Sequence, residues 1–370
     1  MTATTPTDGL AVTTTGTPTG TPAARSAVDP SGAPGRLPLP PARGELSAAL
    51  LRHLRAEPAA PTAADLRDLA ARAAGGDVLR DEDAQLALFL MYELHYRGLE
   101  GVDDALEWDL GLLGVREVLE GPFEAAVRAL VEVPEVPVED VAETLFAMAA
   151  ADDGPGVSAF LQRHATLEQV REFLVHRSIY HLKEADPHTW AVPRLAGGPK
   201  AALVEVQADE YGGGRPERMH SALFARTMRA AGLDDAYGRY LPSVPATTLV
   251  GTNAMSLFGL HRRLRGAIVG HLAVFEMTSS LPNKAYGNGL RRLGFDADAT
   301  WFFDEHVQAD AVHEQIAGRD LAGALARREP ELAADVLFGA AACLALDALA
   351  GEQQLASWER GRTSLLVPWA

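Results

Sequence analysis

A chain of 370 residues that is 47% hydrophobic, 22% charged and only 6% aromatic has the composition of a globular protein, with room for one large domain or two modest ones. A formal charge of −17 argues against a nucleic-acid surface, because the basic run HRRLRG from His261 to Gly266 is too short to reverse the field. The single cysteine, Cys343, lies in an Ala-Leu run and excludes intrachain disulfides, Fe–S clusters and cysteine-based zinc sites.

Residues 1 to about 40 are mostly Thr, Pro, Gly and Ala, which cannot bury enough surface to offset their ordering entropy, so a disordered tail is expected. The start has no basic n-region followed by an apolar segment, and no run is read as reaching the ~20 apolar residues of a membrane span. A cytoplasmic location and no membrane partner are therefore expected. From Glu45 onward apolar residues recur at helical spacing and strand-like alternation is nearly absent.

Three helices are read in ELSAALLRHLRAE, AADLRDLAARAA and DEDAQLALFLMYELHYRG. Further helices are read at about 105–131, 138–151, 156–165, 166–185, 198–209, 216–231, 246–278, 298–317, 319–327 and 330–360. Stops are expected at Asp186-Pro187, at Gly212-Gly213-Gly214, at Gly232 and at Leu281-Pro282. The fold class is all-α. The join VPEVPVED, 133–140, separates an N-terminal helical lobe (41–150) from a C-terminal helical bundle (151–370), with one continuous helical body as the alternative.

The run FFDEHVQADAVHEQIAGRD holds the most informative pattern. His306, Asp310 and His313 fall four and three residues apart, within a sector of ~60° on one helix face. Two imidazoles bracketing a carboxylate supply N/O ligands suited to iron, manganese or zinc. The preceding helix carries Glu276 in the apolar run LAVFEM, where a carboxylate is costly unless a cation holds it. The plainer reading of Glu276 is an exposed residue on an amphipathic helix.

Glu210 and His220 flank the Gly-Gly-Gly-Arg-Pro break. On one straight helix they would lie about 15 Å apart along the axis, but three glycines let the chain fold back. His220, beside Met219, Leu223 and Phe224, could equally be an ordinary core histidine. Earlier, His176, Tyr180, His181, Lys183, Glu184 and His188 crowd around a helix stop, and at least half of them must be structural. Glu93 and His95 are only two apart, diverge on a helix and are read as structural or interfacial.

Taken together, these residues make the region of roughly 155–360 resemble the haem-oxygenase-like diiron oxidases. Their pattern is a lone Glu, then Glu and His, then Glu, then His-x3-Asp-x2-His. Glu184, Glu210, His220, Glu276, His306, Asp310 and His313 occupy those positions in order. The resemblance implies a haem-oxygenase-like helical bundle with an extra N-terminal lobe, two non-haem irons bound by these seven residues, and O2 as co-substrate. Glu210 and Glu276 are the expected catalytic residues as well as ligands.

The implied activity is oxidation of a small organic molecule: N-oxygenation, or oxidative C–H or C–C cleavage of an amino-acid-like or fatty substrate. An external electron donor is the expected partner, and homodimerisation is left open. Tyr180, Lys183, Tyr211, Arg215, Lys284 and Tyr286 are the substrate-pocket candidates, from proximity in sequence. The alternatives are an iron-binding or sensing module without organic substrate, a haem-binding relative, and a thiaminase-like relative, which would need a nucleophilic cysteine where Cys343 reads as inert core.

Overall fold

Helical periodicity is realised along the chain in the computed structural model, which describes residues 35–369 apart from the side chains of 308–312. Among the described residues the one β pairing is an isolated bridge between Leu37 and Leu99. Most of the expected tail, residues 1–34, lies outside the described residues. Residues 35–40 are not loose: Leu37 is buried, and its backbone bonds to Gly98 and Glu100.

The helices run in chain order as α1 (Glu45–Leu54), α2 (Ala63–Ala73), α3 (Glu82–Glu93), α4 (Leu110–Leu130), α5 (Val141–Ala151) and α6 (Val157–Arg163). They continue with α7 (Leu167–His181), α8 (Asp186–Thr189), α9 (Gly197–Glu210), α10 (His220–Ala230) and α11 (Ala246–Leu260). The last are α12 (Arg265–Arg292), α13 (Ala297–Gln315), a π-helical stretch (Ile316–Gly323), α14 (Ala324–Arg328) and α15 (Ala333–Glu359).

Local chemistry explains several boundaries. Thr166 opens α7 with a capping box: its hydroxyl accepts from Gln169 N–H, and the Gln169 side chain reaches back to Thr166 N–H. One helix was expected over 246–278, but the chain breaks at His261, which turns out of the helix to contact Glu120 Oε2 at 2.9 Å. Arg194 caps the freed carbonyls of Gly259 and Leu260. The opposite correction applies at Pro282, read as a stop: α12 runs through it to Arg292. A proline inside a helix forfeits its own N–H bond, and packing of the rest of α12 tolerates that loss.

The long helices α12 and α15 form the spine. Gly270 and Gly339 mark where they cross, since a Cβ on Gly270 would overlap the Val336 carbonyl and one on Gly339 would overlap that of Ala267. Taken alone, the segment Pro330–Glu359 is long and apolar enough to cross a bilayer, which corrects the reading of the sequence; 67% of its most apolar window is buried against the rest of the protein. α13 also packs against α12.

Residues from Gly35 onward form one compact unit, and the helices on either side of residue 150 share one core. Polar ties cross that boundary. Asn253 Nδ2 donates to the Gln85 backbone and side chain at 2.9 and 2.8 Å, and Arg43 donates to the carbonyls of Leu241 and Val244. A buried ion pair adds to them, Lys183 Nζ to Glu93 Oε2 at 3.1 Å, with both side chains sealed from solvent and Tyr237 Oη donating to the same carboxylate oxygen at 2.7 Å.

Removing one member of this pair leaves a buried charge. Lys183→Met should therefore lower the unfolding free energy by about 3–5 kcal/mol. The double replacement with Glu93→Gln should cost less, as read by urea denaturation.

Candidate metal centre

Four helices and one turn bring the candidate ligands together. Glu184 sits three residues beyond the end of α7, in a turn closed by Ala185 at φ 73°, a left-handed conformation unfavourable for a residue with a Cβ. His181, the last residue of α7, contacts Glu184 Oε1 through Nδ1 at 2.6 Å. That leaves Glu184 Oε2 buried with no partner.

Glu210 is the last residue of α9 and His220 the first of α10. Gly212, Gly213 and Gly214 all have positive φ, and a Cβ on Gly212 would stand 2.6 Å from Met219 N. The chain thus doubles back in ten residues and places His220 Nδ1 3.0 Å from Glu210 Oε2. His220 Nδ1 is buried without a hydrogen bond.

From the spine comes Glu276 on α12, and from α13 come His306 and His313. The imidazole of His306 has Nδ1 2.8 Å from the Phe302 carbonyl, one turn back; donating there fixes the tautomer and leaves Nε2 facing Glu184 Oε1 at 3.7 Å. His313 is held the other way round. Its Nε2 lies 3.1 Å from Asp209 Oδ2, while its Nδ1 lies 3.4 Å from Glu276 Oε2, buried and without a hydrogen bond.

Two groups of potential ligands result. Glu184, Glu210, His220 and His306 present donor atoms all within 4.8 Å of one another, and so do Glu210, Glu276 and His313. Glu210 belongs to both. All six side chains are buried. Asp310 lies on α13 between the two histidines, but its side chain is outside the described residues.

The electrostatics call for a cation. Three carboxylates are buried together, and the groups that face them at ion-pair distance are histidines. Burial raises the Glu276 carboxyl, with Glu210 adding repulsion, while His313 lowers it. Burial pushes His313 toward the neutral form, yet Glu276, then Asp209 and Glu210, outweigh it and raise its pKa to about 9. His220 is likewise raised against its burial, chiefly by Glu210. In a protein without metal the histidines thus stand in for the missing positive charge. Glu184 Oε2, His220 Nδ1 and His313 Nδ1, buried without a hydrogen bond, and the mixed N/O donor set fit a divalent transition metal such as iron.

Beside this centre opens a cleft with about 830 Å³ of empty space, its mouth included. Glu184, His306 and His181 form its inner end, Phe173, Phe224, Phe275, Phe303 and Tyr286 its walls. The ion pair of Arg177 and Asp347, 3.1 Å apart, lines the same cleft together with Cys343. Burial raises the Cys343 thiol far above its usual range, so it is inert.

Of the substrate-pocket candidates, Tyr286 lines this cleft and Tyr180 lines the small space enclosed by the ligands. The others fall elsewhere. Lys183 is engaged by Glu93, Tyr211 bonds Thr189 and Asp186, and Arg215 and Lys284 are exposed. Asp209 and Arg177 were missed. Arg177 lies four residues before His181 on the same helix face, a usable signal; Asp209, an exposed acid next to Glu210, offered none.

Comparison with known proteins agrees with the geometry. Residues 171–348 match the family of iron-containing redox enzymes, a span that includes all six gathered side chains. A nitrosourea synthase from Streptomyces achromogenes subsp. streptozoticus is 28% identical over 177 residues, which are 47% of this chain and 37% of that protein. The match thus spans little more than a third of the relative's length. With an all-α fold and a buried His/Glu cluster able to hold metal, the chain is similar over residues 171–348 to the haem-oxygenase-like family of iron-containing redox enzymes.

Proposed function

We propose that the chain is a non-haem diiron oxidoreductase that uses O2 to oxidise a small organic molecule. The observation that carries this reading is Glu210, shared by two groups of buried ligands, as a carboxylate bridging two metal ions would be. Glu184, His220 and His306 would complete one site with Glu210. Glu276 and His313, with Asp310 as the candidate from sequence, would complete the other.

Iron held by these residues would supply electrons to O2. The protein's own contribution is positioning. The Phe302 carbonyl and Asp209 fix opposite nitrogens of His306 and His313, so each ring presents its remaining nitrogen to a carboxylate. The aromatic walls of the cleft exclude water and hold an apolar substrate body beside Glu184 and His306. A cleft ending on the ligands favours an enzyme over an iron store. The likeness to a nitrosourea synthase favours oxidation at nitrogen over C–C cleavage. An external electron donor and a cytoplasmic location are part of the proposal.

Anaerobic Fe(II) titration with elemental analysis should give about two irons per chain. Loss of a non-shared ligand, in His220→Ala or His313→Ala, should leave about one, whereas Glu210→Ala should fall below either. Unchanged stoichiometry in both histidine variants would count against the two-site assignment.

Asp209→Ala should weaken binding at the site holding His313 by about 10–100-fold, with Asp209→Asn in between, because the amide oxygen still accepts from Nε2–H. Equal affinity in wild type and Asp209→Ala would remove Asp209 from the site.

A further inference from the structure

A second cavity borders the cleft, and hydroxyl, amide and imidazole side chains stand among its mostly apolar lining. Thr247, Thr248 and Thr252 of α11, His271 of α12 and Gln354 of α15 line it, and it shares Arg177, Phe275, Cys343 and Asp347 with the cleft. Thr247 Oγ1 and Gln354 Oε1 are buried with no protein partner. Polar atoms so placed are costly unless water meets them, and the space is large enough to admit it.

His271 leads out of it. Its Nδ1 lies 3.2 Å from Nε2 of His188. His188, only 1% exposed, lines the small space enclosed by Glu184, Glu210, Glu276 and His306, and its Nδ1 is buried without a partner. Two hydrogen-bonded imidazoles therefore span the distance between this cavity and the candidate ligands. Burial keeps both rings neutral, with His271 lowered to about 4, so each can accept a proton on one nitrogen while releasing one from the other.

We propose that His271 and His188 form a proton relay from this second cavity to the metal centre. The relay rests on the O2 chemistry proposed above. O2 reduced by electrons from Fe(II) and an external donor takes up one proton per electron, and a substrate filling the aromatic cleft closes that side to water. The step balances. A hydrated proton entering the cavity from solvent binds His271 Nε2 and leaves neutral water, the His271 Nδ1 proton passes to His188 Nε2, and the His188 Nδ1 proton leaves into the space beside the carboxylates. One proton enters, one leaves, no electron moves, and both rings end neutral with their hydrogen bond reversed.

Three variants and one spectrum test it. His271→Phe and His271→Asn should keep the wild-type iron content but slow the oxidation of the Fe(II)-loaded protein by O2 roughly 10²-fold, with the solvent deuterium isotope effect of the wild type lost. The Asn amide can donate toward His188 but cannot pass a proton on, so a wild-type rate in His271→Asn would reduce His271 to a packing role and overturn the relay. Loss of iron in His188→Phe would overturn it too, by making His188 a ligand. In the metal-free protein with 15N-labelled histidine, a scalar coupling should cross the His271 Nδ1–His188 Nε2 bond, and its absence would overturn the relay whatever O2 does. Wild-type protein that holds iron yet ignores O2 would overturn the functional reading instead, and there the coupling alone decides for or against the pair.

Discussion

Three carboxylates, Glu184, Glu210 and Glu276, are held together out of water with histidines facing them, and the rest of the domain is organised around making that tolerable. Anions so gathered repel one another and lose their hydration, a cost that a hydrophobic core cannot offset locally. The protein instead distributes the ligands over elements that are rigid for independent reasons. Glu276 stands on the spine helix, His306 and His313 on the helix beside it, and Glu210 and His220 on the two arms of a glycine turn.

Rigidity in turn comes from very close packing. The glycine crossing of α12 and α15 removes side chains from the contact so that two backbones meet. A sealed ion pair ties α3 to the turn that carries Glu184, through its neighbour Lys183. The N-terminal helices thus act on the site without contributing a ligand to it. They hold the turn after α7, where Ala185 keeps a conformation that the local chain would not choose.

Much of this was readable because helical period and burial leave local marks. His306 and His313 share a face by spacing alone, Glu276 is an acid in an apolar run, and three consecutive glycines announce that the chain reverses between Glu210 and His220. What could not be read depends on partners distant in sequence. Lys183 meets Glu93 across 90 positions and His188 meets His271 across 83, so the first looked like a pocket residue and the second like an undecided one. The break at His261 is stabilised by Arg194, remote in the chain, and was read as continuous helix. Pro282 misled in the other direction, since a local rule about helix ends yields to the packing of a long helix.

Glu210 also closes α9, and a helix ends on unpaired carbonyls that carry partial negative charge. A carboxylate is the wrong charge for that position. Backbone and side chain there push against each other, and a cation between Glu210 and its neighbours would relieve both repulsions at once. Peptide dipoles at the end of α9 would therefore add to the attraction for a cation whichever side chains held it, and the end of α9 should tighten when that charge arrives.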